Sequence, residues 1–109
     1  MDYVYEDIAK MIDHSLLNPT LSVNELEEGL QIALDYDVGS ACIMPYYLKR
    51  AAAVLEGSGV KASTTIGFPH GGHATATKVA EAKQALLDGG EELDMVVNIS
   101  RVLSGQWDA

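Results

Sequence analysis

Asp94 stands out in the stretch EELDMVVN, Glu91 to Asn98, because Leu93, Met95, Val96 and Val97 around it have the composition of a buried strand. An ionised carboxylate in such a run is costly unless something pairs with it. Two readings of the residue are open: it has a partner elsewhere, or it sits at a strand end and caps a nearby turn. Asp13, in MIDHSLL, poses the same question and could bind backbone amides. Cys42, in SACIMP, is either a small buried hydrophobe or a thiol beside a site. His70 and His73, three apart in PHGGHAT, would bind a metal only with a third ligand, and histidines in a glycine-rich turn are ordinarily solvated. GFPHGG could cradle an anion through its amides. It lacks the Gly-x-x-x-x-Gly-Lys-Ser/Thr pattern of a nucleotide loop, so a shape-determining turn is the simpler reading. The sequence contains no Gly-x-Ser-x-Gly elbow and no zinc-type cysteine set.

The elements that position these residues alternate along the chain. After a short amphipathic lead (Val4, Ile8, Met11), Met11–Leu17 reads as a first strand. A helix follows over LSVNELEEGLQIALDYDVG, with Ser22 and Glu25 as a capping box and Leu21 and Leu26 at staple spacing. Its expected apolar stripe is Val23, Leu26, Leu30, Ala33 and Leu34, with Gly39 as the stop. Ser40–Pro45 is a second strand, and Pro45 suits the first turn of a helix carrying Leu48, Ala51, Ala52 and Leu55. VKASTTIGF is a β-branched third strand. TKVAEAKQALLDGG is a third helix, with Val79, Ala82 and Leu86 expected inward. The strand holding Asp94 comes next, and SGQWDA reads as the approach to a further helix.

Alternating strands and helices recurring every roughly 22 to 30 residues imply a parallel sheet covered by helices. An open doubly wound sheet and part of a (β/α)8 barrel both fit that order. Strand alternation separates them. Asp94, Val96 and Asn98 share one face; so do Asp13 and Ser15, Cys42 and Met44, and Ser63, Thr65 and Gly67. Each strand therefore has one face with polar or small groups and one mostly apolar. A sheet packed on both sides reads apolar on both faces, so the pattern favours a barrel lined by an active site, with function at the C-terminal strand ends.

Composition narrows the function class. The chain has 109 residues, 48% of them hydrophobic, and a formal net charge of −9. That charge argues against nucleic acid or an anionic membrane as partner. No apolar run approaches the roughly 20 residues of a membrane span, MDYVYEDIAK lacks a secretory layout, and a single cysteine allows no internal disulfide. The expectation is one cytoplasmic unit over residues 1–109.

MIDHSLLNPT, ACIMP, TTIGFPHG, TKVAEAKQALLDGGEELDMVVNI and LSG stand in the order and spacing of the deoxyribose-phosphate aldolase family. From about Met11 to Gly105 the sequence resembles the N-terminal half of such an enzyme. The resemblance implies an α/β fold of four βα units, half of a (β/α)8 TIM barrel, with parallel strands in order 1-2-3-4 behind a short N-terminal helix. It implies a class I aldolase that reversibly cleaves 2-deoxy-D-ribose 5-phosphate to acetaldehyde and glyceraldehyde 3-phosphate, through a lysine Schiff base and without metal or cofactor. Asp94 matches the family's proton-relay carboxylate, Asp13 a supporting aspartate, and Cys42 a cysteine beside the substrate pocket. Thr65 and Asn98 are assigned with them to the pocket and its supports.

The family's Schiff-base lysine and its lysine neighbour lie on later strands, and a complete barrel takes roughly 200 to 250 residues. None of the five lysines here stands in for them: Lys10 precedes the first strand, Lys49, Lys78 and Lys83 fall in helices, and Lys61 opens the third strand at the wrong end. Ser15 replaces the usual threonine and Asn18 the frequent lysine, both minor departures. The expected partners are a phosphorylated sugar or aldehyde when the barrel is complete, and a complementary C-terminal half or a second copy. A non-catalytic truncated or self-associating half-barrel is the rival expectation.

Overall fold

A computed structural model describes residues 2–108, so Met1 and Ala109, the ends of the expected unit and of SGQWDA, lie outside the described residues. The chain runs α1 (Tyr5–Ala9), β1 (Asp13–Leu16), α2 (Val23–Asp35), β2 (Ser40–Ile43), a 3-10 turn (Pro45–Tyr47), α3 (Leu48–Leu55), β3 (Lys61–Ile66), α4 (Thr75–Leu87), β4 (Glu92–Met95) and α5 (Ile99–Leu103). All strand pairs are parallel, in order β1-β2-β3-β4, as expected for four consecutive units of a barrel. A doubly wound sheet would reverse direction after its first strands; this one does not.

The core lies between the sheet and one layer of helices. Leu16, Ala41, Ile43, Ala62 and Ile66 on one face of the sheet cluster with Leu26, Leu30, Ala33, Leu48, Ala51, Leu55 and Ala85 of α2, α3 and α4. The opposite face carries Asp13, Ser15, Ser40, Cys42, Ser63, Thr65 and Asp94, which the register aligns in rows: Ser15 with Cys42 and Ser63, and Thr65 with Asp94. The two-residue alternation thus sorts chemistry from core, as read from the sequence.

Local signals account for the helix starts. Ser22 Oγ accepts the Glu25 amide at 3.2 Å, and Glu25 Oε2 accepts the Ser22 amide at 2.7 Å. These bonds satisfy two amides that the first turn leaves free, and they hold the Glu25 carboxyl below its usual range. Pro45 opens the 3-10 turn that leads into α3, a position where its missing amide costs nothing.

Several expectations are corrected. The strands are shorter than read, because Pro45 starts a helical turn and Gly67 turns the chain after Ile66. Val23 is exposed at the overhanging first position of α2, and buried Gly29 faces Leu16 in its place. In α4, Val79 and Leu86 point outward and Ala85 is buried, with Ala82 partly so; small side chains let this helix lie close to the sheet. In the lead, Ala9 is the buried residue, while Val4, Ile8 and Met11 are exposed. A helix does occur at the C-terminal end, but before SGQWDA: α5 is capped by Asn98 and ends at Leu103, with the left-handed Gly105 two residues beyond it.

Candidate active site

The four strands deliver the polar side chains to the helix-free face. Its middle is lined by small residues, and Ser40, Cys42, Ser63 and Thr65 are all buried there, opposite the face that packs on α2, α3 and α4. Asp13 and Asp94, on the two edge strands, are exposed. At the start of β1, Ser40 Oγ donates to Asp13 Oδ1 at 2.5 Å, so Asp13 is held by a neighbouring strand's hydroxyl.

Asp94 has a partner in the chain: the Cys42 thiol donates to its Oδ2 at 3.8 Å. Burial pushes the Cys42 thiol up from its ordinary pKa, a hydrogen bond with Ser63 works against that, and the charges of Asp94 and Asp13 push it further up. Both carboxylates therefore act on Cys42, and the sulfur is a protonated, weakly donating thiol at neutral pH. The site so built has two carboxylates, a neutral thiol and small hydroxyls. Carboxylates and hydroxyls gathered on one face are the group types of general acid–base chemistry.

Thr65 is the register partner of Asp94, 5% exposed, on the same face. Asn98 lies beyond β4, and its Oδ1 accepts the Arg101 amide at 3.2 Å as the cap of α5. The structure thus brings Asp13, Cys42, Thr65 and Asp94 to one face and gives Asn98 a capping bond at the strand's C-terminal side. His70 and His73 are both exposed in the turn after β3.

GFPHGG is the shape-determining turn. The Gly71 amide donates to Gly67 O at 2.7 Å, and Gly71 has φ +68°. A Cβ on Gly71 would lie 1.9 Å from Val97 O, so this residue must lack a side chain for the turn to rest on the chain leaving β4. Sequence reasoning missed Ser40 and Ser63 as partners of Asp13 and Cys42, although alternation places all four on one face. It also missed Lys78 and Glu81 of α4, which bond Val96 O and the Gly67 amide; no local sequence signal marks a helix side chain that reaches a strand end.

The comparisons agree with this architecture. No protein-family model matches the chain. Its sequence is 68% identical over 107 residues to the deoxyribose-phosphate aldolase of Rhodopirellula baltica, covering 98% of this chain and 44% of that protein. Among solved structures, a putative deoxyribose-phosphate aldolase from Coccidioides immitis superposes with a TM-score of 0.88 at 33% identity, over 94% of this chain and 40% of that one. The tetrameric deoxyribose phosphate aldolase of Aeropyrum pernix superposes with a TM-score of 0.82 at 34% identity, over 89% of this chain and 42% of that one. The chain spans less than half the length of each of these proteins. In sequence and in fold it is a homologue of the N-terminal part of the deoxyribose-phosphate aldolases.

Proposed function

We propose that this chain is the N-terminal, carboxylate-bearing half of a deoxyribose-phosphate aldolase, and that it acts when a C-terminal half completes the barrel. The reaction is the reversible cleavage of 2-deoxy-D-ribose 5-phosphate to acetaldehyde and glyceraldehyde 3-phosphate, a step of deoxyribonucleotide breakdown in the cytoplasm. A neutral lysine amine attacks the open-chain sugar's carbonyl and water leaves. The iminium that forms accepts the electrons of the breaking C–C bond, and glyceraldehyde 3-phosphate departs. The enamine left behind is protonated and hydrolysed to acetaldehyde and free lysine. Asp94 carries protons between substrate and solvent at this centre, a role suited to a carboxylate on the open face of the sheet. Asp13, Cys42, Thr65 and Asn98 line or support the pocket. Neither a metal nor a cofactor has a part in this reading.

The observation that carries the proposal is the placement of Asp94 beside Cys42 on the helix-free face of a sheet that superposes on aldolase barrels. The five lysines support assigning the nucleophile to a complementary segment. Lys10 Nζ is bonded to Asp37, Val38 O and Gly59 O. Lys61 pairs with Glu92 at 3.6 Å at the far end of β3. Lys78 bonds Val96 O, and Lys49 and Lys83 are exposed on α3 and α4.

Association is part of the proposal. Exposed apolar side chains flank both edges of the sheet: Ile8, Ile12 and Ile32 near β1, and Leu87, Met95, Val97 and Leu103 near β4. Edges of this kind seek a partner. No helix among the described residues is long and apolar enough to cross a membrane.

Borohydride reduction in the presence of acetaldehyde tests the assignment. The chain mixed with the C-terminal segment of the R. baltica protein is expected to yield a reduced adduct on a lysine of that segment and to cleave 2-deoxy-D-ribose 5-phosphate. An adduct on one of this chain's own lysines, or no adduct on either, overturns it.

A further inference from the structure

Beyond the paired strands, one more rung joins their ends: the Val96 amide donates to Ile66 O at 2.9 Å. There the strands part, because Gly67 turns the chain at φ +68° into the peptide between Phe68 and Pro69, and Pro69 has no amide to offer a ladder. Two backbone groups at the parting are met by one helix. Glu81 Oε1 accepts the Gly67 amide at 2.7 Å, and Lys78 Nζ donates to Val96 O at 2.8 Å. Lys78 and Glu81 are three apart on α4 and so share a helix face. Neither is ion-paired with the other: ion pairs among the described residues join Lys10 to Asp37, Arg50 to Glu27 and Lys61 to Glu92. Both charged groups are part-buried at these bonds and are directed to the backbone. The fit is close, since a Cβ on Gly67 would come within 2.8 Å of the Lys78 Cε.

Gly67 follows Thr65 by two residues, and Val96 follows Asp94 by two. Thr65 and Asp94 are register partners on the helix-free face. We infer that Lys78 and Glu81 are positioning residues, a two-point clamp from α4 that fixes the ends of β3 and β4 and thereby sets Asp94 against Cys42. The inference rests on the reading of Asp94 as the working carboxylate, but its test needs no aldol chemistry. A charge-assisted bond to a backbone group is stronger than a neutral one and geometrically more demanding. Two such bonds make the strand ends stiffer than a loop-tethered end.

The reporter is Cys42, whose thiol faces Asp94 from β4, Asp13 from β1 and Ser63 from β3. Its ionisation midpoint is read from the 13Cβ shift of the whole chain as pH is raised. The clamp requires that Lys78→Met and Glu81→Ala both lower the midpoint by about half a pH unit, about a threefold rise in thiolate fraction, because Asp94 drifts away and water enters. Glu81→Gln keeps an acceptor for the Gly67 amide and is expected to titrate like the wild type. A bare charge effect would move Lys78→Met upward and Glu81→Ala downward, and a purely structural role would leave both midpoints in place while stability fell; either pattern overturns the inference. Amide exchange of the unsubstituted chain is the second measurement, independent of whether the variants fold. Gly67 is expected to be protected like Val96, and exchange at the rate of an open loop overturns the clamp. A chain that fails the borohydride test but shows these shifts loses the aldolase reading and keeps the clamp.

Discussion

The Cys42 thiol donates to Asp94 Oδ2 at 3.8 Å, joining β2 to β4 across the inner face of β3. Asp94, set between Leu93 and the apolar run Met95–Val97, thus has a neutral donor within the chain and is exposed to solvent. On the proposed reading, this exposed position is what lets Asp94 exchange protons with a substrate on the same face.

Asp94→Asn should therefore change stability by no more than about 0.5 kcal/mol, since the residue is exposed and the amide oxygen still accepts from Cys42. The Cys42 midpoint should fall, because a negative charge that opposes thiolate formation has been removed. Urea unfolding and the 13Cβ titration check the two halves; a large loss of stability contradicts the account.

Cys42 also predicts a pH dependence of stability. Its folded pKa is raised, so between the unfolded and folded values the native state holds a proton that the unfolded state has lost, and stability falls as pH rises. Compared with Cys42→Ala, the wild type should be level below about pH 8 and lose ground above about pH 8.5, by at most about 1.4 kcal/mol per pH unit. Parallel stability curves for the two proteins through pH 10 contradict this.

Much of the fold was legible because alternation and periodicity report burial. Asp13, Cys42, Thr65 and Asp94 fall on one face and Leu16, Ile43 and Ile66 on the other, as the two-residue repeat requires. Reading every apolar residue of a helix as inward failed for Val79 and Leu86, where the sheet accepts only the small Ala82 and Ala85. The short α5 was missed because a five-residue helix has no periodicity to detect, only the Asn98 cap. Lys78 and Glu81 were illegible for another reason: their partners are backbone atoms, and backbone acceptors leave no trace in side-chain patterns.

The difference between the strand faces and the sheet edge is testable by truncation. Ile66→Ala removes a fully buried side chain from the outer face and should cost about 2 to 5 kcal/mol. Met95→Ala, at a residue 55% exposed on the edge strand, should cost less than about 1 kcal/mol. Denaturant midpoints distinguish them; equal losses would mean that β4's outer face is covered in solution.

Gly71→Ala introduces a Cβ 1.9 Å from Val97 O at a left-handed φ. The expected loss is about 2 kcal/mol or more, combining backbone strain with the displacement of a backbone oxygen that cannot swing aside. Thermal unfolding measures it, and a neutral substitution would show that the turn after β3 does not rest on the chain leaving β4.

The most direct test of the account is the rate of 2-deoxy-D-ribose 5-phosphate cleavage by this chain combined with the C-terminal segment of the R. baltica aldolase, measured with Asp94 and with Asp94→Asn. The account predicts cleavage by the pair, and a loss of about 100-fold or more in kcat on Asp94→Asn with the lysine adduct still trapped by borohydride. Equal rates with aspartate and asparagine at position 94 would contradict it.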